Sequence, residues 1–281
     1  MKAYEFDEAV CVTPDDSGWS ATVPDGWDIN GNANGGYVMA LGANAMRATG
    51  GRAHPLTVTA HYLAPVTPGP VTISADVVKQ GRRFTTMTGS IRRDGRELIR
   101  LLGAFGDLDP VTEQTYVDGG PPDVPPMEQC IRRTPVGGTS VVGLADRLDM
   151  WLHPDDAEAL DDRPSGTGRT RGWFEFRDGR PIDTLGLLLA ADSFPPAVFN
   201  IPDLIRGWVP TVEFTVHVRA IPSPGPLSCS FVTRFVTGGV LHEDGELWDS
   251  AGNLVAISRQ YGLLAKSRSR HSGQGFPTHT G

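Results

Sequence analysis

The segment LGLLLAADSFPPAVFN, Leu185 to Asn200, places a carboxylate, Asp192, in the most apolar stretch of the chain and follows it with a double proline. Burial disfavours the charged form of a carboxylate and raises its pKa, so an acid on a buried helix face is a better base while it remains mostly ionised. An unpaired buried carboxylate is destabilising, so a partner or a solvent channel must accompany it. The plainer reading is that Asp192 ends its helix turned to solvent near Pro195. Other polar clusters carry less chemistry. His153, Asp155 and Asp156 in LHPDDAEALDD are metal-ligand types, but Pro154 followed by acids is the pattern of a helix N-terminus. GTGRTRG, residues 166–172, lacks the spacing and the βαβ setting of a dinucleotide loop. No GxSxG elbow is present, which argues against an α/β-hydrolase. No metal and no cofactor are expected.

The elements that must position Asp192 emerge from an internal repeat. LTVTAHYLAPVTPGPVTIS, from Leu56, overlays PTVEFTVHVRAIPSPGPLSCS, from Pro210. Pro68-Gly69-Pro70 then lies over Pro224-Gly225-Pro226, Thr59 over Thr215 and His61 over His217. Alternating apolar and polar residues, then Pro-Gly-Pro, predict a half-buried strand, a turn and a second strand in each copy. A turn and an apolar strand follow in both, ELIRLLGAF after Arg93-Asp94-Gly95 and NLVAISRQYGLL after Ser250-Ala251-Gly252. Upstream of each strand set sits one predicted helix. NANGGYVMALGANAMRATGG has Asn34 as cap and Gly50 as stop, and PIDTLGLLLAADSF has Asp183 as N-cap. Leu185, Leu188, Leu189 and Asp192 share one face of the second helix, which is apolar nearly all round and should be buried. Each half therefore reads as one long buried helix followed by antiparallel strands, an α+β protein.

The expected organisation is a first unit over 1–109, a Pro-rich linker over 110–135, a second unit over 136–266 opened by the strand-like SVVGLADRLDMWL, and a disordered tail over 267–281. The composition, 39% hydrophobic and 21% charged, is that of a globular chain, and the net charge of −8 argues against a nucleic-acid partner. Cys11, Cys130 and Cys229 are scattered and odd in number, as in a reducing compartment. The N-terminus has no signal-peptide pattern and no run is long enough for a membrane span. A cytoplasmic homo-oligomer is expected.

The residues now carry a specific resemblance. NGGYVMALGANAM, HYLAPVTPG and QGRRFTTMTGSIRRDGRELIRLLGAF in the first half, with AADSFPPAVF, PTVEFTVHV and VAISRQYGLL in the second, resemble the acyl-CoA thioesterase II type. The resemblance implies a double hotdog fold, in which each unit wraps an antiparallel sheet around a central helix. It also implies hydrolysis of an acyl-CoA by a water held between an Asp, a Thr and a Gln, matched here by Asp192, Thr211 and Gln260. Two residues after the Thr the family often has an Asp-His pair, where this chain has Glu213 and Phe214. Gly35 and Gly36 read either as a permissive helix start or as N–H groups facing the thioester oxygen. Arg82-Arg83 or Arg92-Arg93 would be solvated or would meet the phosphates of coenzyme A.

Two rivals remain open. An enoyl-CoA hydratase of the same fold resembles a helix carrying Asp with a His shortly after, and no His follows Asp192 here. A non-catalytic acyl-CoA or lipid-binding protein would use the same cavity. The repeat also implies one live site per chain. At the strand offset Gly36, Pro55 and Ala104 stand opposite Asp192, Thr211 and Gln260, and no acid lies between Gly35 and Gly51.

Overall fold

Asn34 and Asp183 start their helices as expected. The Asn34 side chain accepts from the Tyr37 N–H at 2.9 Å, and that of Asp183 accepts from the Gly186 N–H at 2.8 Å. Each satisfies a donor that a helix start leaves open. The computed structural model describes residues 3–16, 18–108, 116–133, 143–161, 163–204 and 207–264. The tail expected over 267–281 lies outside them.

The first half runs α1 (Glu5–Ala9), β1 (Thr13–Asp15), β2 (Gly18–Val23), a small β3 (Asp28–Ile29) and β4 (Asn32–Ala33) pair, then α2 (Gly35–Gly50). Four long strands follow, β5 (His54–Tyr62), β6 (Gly69–Gln80), β7 (Phe84–Arg93) and β8 (Arg96–Gly106). The second half has β9 (Ile131–Arg132), β10 (Leu148–Leu152), α3 (Pro154–Ala157), β11 (Arg169–Phe176) and α4 (Thr184–Ala190). It closes with β12 (Thr211–Val218), β13 (Leu227–Thr237), β14 (Val240–Trp248) and β15 (Leu254–Leu263).

Apart from the β3–β4 pair, one antiparallel sheet joins the strands of both halves, in the order β1-β2-β6-β7-β8-β5-β12-β15-β14-β13-β11-β10-β9. Read outward from the β5–β12 seam, the first six strands of the two halves come in the same order, and β9 is an extra edge strand of the second. At the seam Thr59 stands opposite Thr215, with their hydroxyls 2.8 Å apart. Those two residues are 156 apart, the offset that overlays the Pro-Gly-Pro turns. His61 opposite Glu213 and Thr57 opposite His217 continue the pattern, so a pseudo-two-fold axis passes through the threonine pair. The two helices pack against the sheet, α2 over β5 to β8 and α4 over β5 and β12. Tyr37, Val38, Met39, Leu41 and Met46 of α2 and every residue of α4 are buried.

The helices depart from the sequence reading. Gly50 stays within α2, and the stop is Gly51, at a left-handed φ of 61°. Instead of a long helix, α4 has seven residues. The Asp192 and Ser193 N–H groups bond carbonyls only three residues back, Leu189 at 3.1 Å and Ala190 at 3.3 Å, which tightens and ends the helix, and Pro195 and Pro196 have no N–H to resume it. The chain needs residues 191–210 to reach β12, whereas 51–53 suffice between α2 and β5. The strand offset therefore fails in the helices, and Gly36 is not the counterpart of Asp192. Counted from the caps, Asn34 and Asp183, that counterpart is Ala43.

The expected opening strand of the second unit is, within its described part, a 3₁₀ turn (Gly143–Asp146) and then β10. The Pro-rich segment before it lies along the second unit. The Pro125 carbonyl accepts from Trp173 Nε1 at 2.8 Å and the Asp123 carbonyl from Arg171 at 2.9 Å. His153 caps α3, its Nδ1 accepting from the Asp155 N–H. That is the helix N-terminus read from Pro154 and the acids after it.

Candidate active site

Asp192 follows α4 directly, and its carboxylate meets the start of α2. Its Oδ2 accepts from Asn34 Nδ2 at 3.0 Å and from the Gly36 N–H at 2.9 Å, while Asn34 Nδ2 also donates to the Asp192 carbonyl at 2.7 Å. A helix start is where an anion is best received, since its N–H groups and dipole favour negative charge. Asn34 has both an acceptor for its own helix and a donor for Asp192, which no carboxylate at position 34 could supply. Gly36 permits the contact by its size. A Cβ there would stand 2.5 Å from the Leu188 carbonyl oxygen and 2.9 Å from Asp192 Cβ. Tyr62 closes the arrangement by donating to the Gly35 carbonyl at 2.8 Å.

Desolvation raises the Asp192 pKa from an ordinary 3.8 to about 6, against the opposing pull of the Gly36, Gly35 and Asn34 donors. The bonds from Asn34 and Gly36 both go to Oδ2, and Oδ1 accepts none of comparable geometry from the described residues. An oxygen of that kind, on a carboxylate poised near neutrality, can take a proton from water.

Thr211 and Gln260 come together through a defect in the sheet. Gln260 stands opposite Phe214, and Gly262 stands opposite Thr211, with a register shift between Thr211 and Glu213. Strict alternation would put Thr211 and Phe214 on opposite faces. The bulge at Val212 turns Thr211 onto the face of Gln260, which is how bulges re-aim a side chain. Gln260 Nε2 donates to Thr211 Oγ1.

Asp192, Thr211 and Gln260 all line one cavity of about 540 Å³. Phe194, Phe199, Trp208 and Phe231 supply apolar wall, and Glu243 and Arg133 are its further charged residues among those described. Gly35 lines it too, but the Gly36 N–H is engaged by Asp192 and is not free for a thioester oxygen. Arg82 and Arg83 are exposed on the β6–β7 turn and do not line the cavity. Arg92 is paired with Glu97 at 2.6 Å, and Arg93 binds Thr67 and nearby carbonyls. Among the described residues Arg133 is the arginine that reaches the cavity, where it donates to the Ser193 carbonyl.

The pseudo-equivalent helix end holds no second copy. There the α4 start takes its carboxylate from its own cap, Asp183, which is paired with Arg180 at 2.9 Å. Ala43, the counterpart of Asp192, brings no acid.

Two tandem helix-and-sheet units sharing one sheet, with a cavity at the junction of their helices, define a double hotdog protein. Residues 23–106 match the family model of the acyl-CoA thioesterase N-terminal domain, and residues 121–264 match that of the C-terminal domain. The chain belongs to the acyl-CoA thioesterase II-type family.

A crystal structure of a candidate thioesterase II from Thermobifida fusca is 32% identical, covering 95% of this chain and 99% of that one at a TM-score of 0.85. A hot dog fold protein of unknown function from Alicyclobacillus acidocaldarius has the same fold at 22% identity, over 94% of this chain and 99% of that one, with a TM-score of 0.82. An uncharacterised protein of Mycobacterium tuberculosis is 26% identical over 260 residues, 85% of this chain and 88% of its own length.

Proposed function

We propose that this protein hydrolyses an acyl-CoA thioester with Asp192 as the base. Membership of the family supports thioesterase activity in general. The observation that carries the finer reading is Asp192 itself, with one oxygen clamped by the start of α2 and the other accepting no bond of comparable geometry from the described residues in a largely apolar cavity. A water bound between Asp192, Thr211 and Gln260 gives a proton to Asp192, and its oxygen attacks the thioester carbon. The C–S bond then breaks, releasing the fatty acid and the coenzyme A thiolate. With the Gly36 N–H engaged elsewhere, the donors left for the developing oxyanion are the Thr211 hydroxyl and the second N–H of Gln260.

Incubation with a panel of acyl-CoAs and a thiol reagent tests this directly, since free coenzyme A appears only on hydrolysis. Thr211→Val and Gln260→Ala should each lower kcat more than they change KM, because the water is positioned for the transition state. Combined with Asp192→Asn, their effects should be strongly non-additive. Binding without thiol release across the panel would favour the lipid-binding reading, and hydration without thiol release the hydratase reading.

The raised pKa of Asp192 sets a pH dependence. The base works only when ionised, so kcat/KM should rise with pH through about 6. A profile flat from pH 5 to pH 8 would remove Asp192 from the role of base.

A further inference from the structure

A second carboxylate is built into the same cavity, and the chemistry above does not use it. Glu243, on β14, is 8% exposed. Its Oε2 accepts from the Ala197 N–H at 2.5 Å and from the Thr233 hydroxyl at 3.4 Å. Its Oε1 has no hydrogen-bond partner among the described residues and is not sealed away, since the residue lines the cavity. One oxygen is thus anchored and the other is left for whatever enters.

Its place is close to the reacting end. Glu243 stands directly opposite Gln260 in the β14–β15 register, and paired residues share a face with Cβ atoms roughly 4.5–5.5 Å apart. The charge of Asp192 is felt at Glu243, and that repulsion, after burial, helps push its pKa up to about 7. Around it the wall is apolar, with Phe194 and Phe231 in ring contact at 5.1 Å.

We propose that Glu243 is a specificity-determining residue that reads a hydroxyl on the acyl group, near its thioester end. This rests on the acyl-CoA reading of the cavity. The polyanionic end of coenzyme A would be repelled by a second carboxylate, whereas the aromatic walls suit an acyl chain. A plain alkyl chain laid over Oε1 would strip its water and return nothing, a penalty that converts to about tenfold to a hundredfold in selectivity. A hydroxyl can donate to the ionised carboxylate or accept from the neutral acid, so it is matched in both states.

The test compares acyl-CoAs of equal length, with and without one hydroxyl, the hydroxyl being moved along the first carbons of the chain. For at least one position kcat/KM should favour the hydroxylated substrate about tenfold or more. Glu243→Leu should abolish that preference, and Glu243→Gln, which keeps an acceptor for Ala197 and a polar end for the substrate, should retain it. Preference for the plain chain at every position would overturn the proposal. So would an equal loss on both substrates in Glu243→Leu, which would place Glu243 with the common part of the substrate.

Calorimetry with non-hydrolysable thioether analogues of the same pairs separates this proposal from the proposed reaction. If no thioester is cleaved but the hydroxylated thioether binds tenfold tighter, the hydrolytic reading fails and the role of Glu243 stands. Equal affinity, or no binding of either analogue, overturns the role of Glu243. If Glu243→Leu does not fold, the selectivity of the native protein and of Glu243→Gln decides.

Discussion

Asp192→Asn should give a folded protein whose kcat is down about a hundredfold or more, the size of effect that a positioned general base supplies. The asparagine can still accept from Asn34 Nδ2 and the Gly36 N–H, so the clamp at the α2 start survives while the base does not. The same substitution should not weaken the fold. Between pH 3.8 and about 6 the folded state holds the Asp192 proton more tightly than the unfolded chain does, so stability falls as pH rises through that window. Above it the buried charge is a standing penalty of roughly 1–3 kcal/mol, which asparagine relieves. Urea unfolding at pH 7.5 should therefore show the variant at least as stable as the native protein. Near-native kcat in the folded variant would remove Asp192 from the chemistry, and a marked loss of stability would contradict desolvation as the cause of its raised pKa.

Gly36→Ala should be nearly as damaging to catalysis, by a different route. In an exposed helix the change from glycine gains about 1 kcal/mol. Here the new methyl would meet the Leu188 carbonyl oxygen and the Leu189 Cα at 3.1 Å, both main chain that cannot swing aside, and Asp192 Cβ. Overpacking of this kind costs about 1–3 kcal/mol, so the clash outweighs the helix gain. Relief must part α2 from α4, which pulls the Gly36 N–H away from the Asp192 carboxylate. We expect lower stability and a fall in kcat of at least about tenfold. Gly42→Ala on the same helix is the control. Its closest neighbour is Leu101 Cδ1, the tip of a flexible side chain, so activity should be largely kept. Equal behaviour of the two variants would show that the Gly36 contact does not set the position of Asp192.

The strands were legible because their signals are local. Alternation and the two Pro-Gly-Pro turns marked β5, β6, β12 and β13 in place, and the side chains of Asn34 and Asp183 announced their helices. Asp192 was legible from its apolar surroundings. What escaped depends on contacts far along the chain. Glu243 lies in HEDGE, a run of acids that reads as a solvated strand face, and only the Ala197 N–H and the cavity single it out. Asn34 was visible as a cap, but its second use, on Asp192, crosses 158 positions. The bulge at Val212 has no turn residue to mark it, so the facing of Thr211 could not be read from alternation. Arg133 sits among prolines and other arginines, with nothing local to set it apart from Arg82 or Arg83. The length of α4 escapes the sequence because an apolar run reports burial, whereas the helix ends in a tight turn at Asp192 and Ser193, ahead of the double proline.

The crossing of α2 over the end of α4 has a consequence for inheritance. Asp192 belongs to one half, and the two groups that hold it, Asn34 and Gly36, belong to the other. Two repeats that only shared a sheet could each drift alone, or be traded between relatives like interchangeable parts. Here positions 34, 36 and 192 behave as one locus split across the chain, and a chimaera must import both sides of that contact or neither. The arrangement also has a direction. Because Asp183 already occupies the start of α4, the reverse loan, from the first half to the second, has nowhere to land.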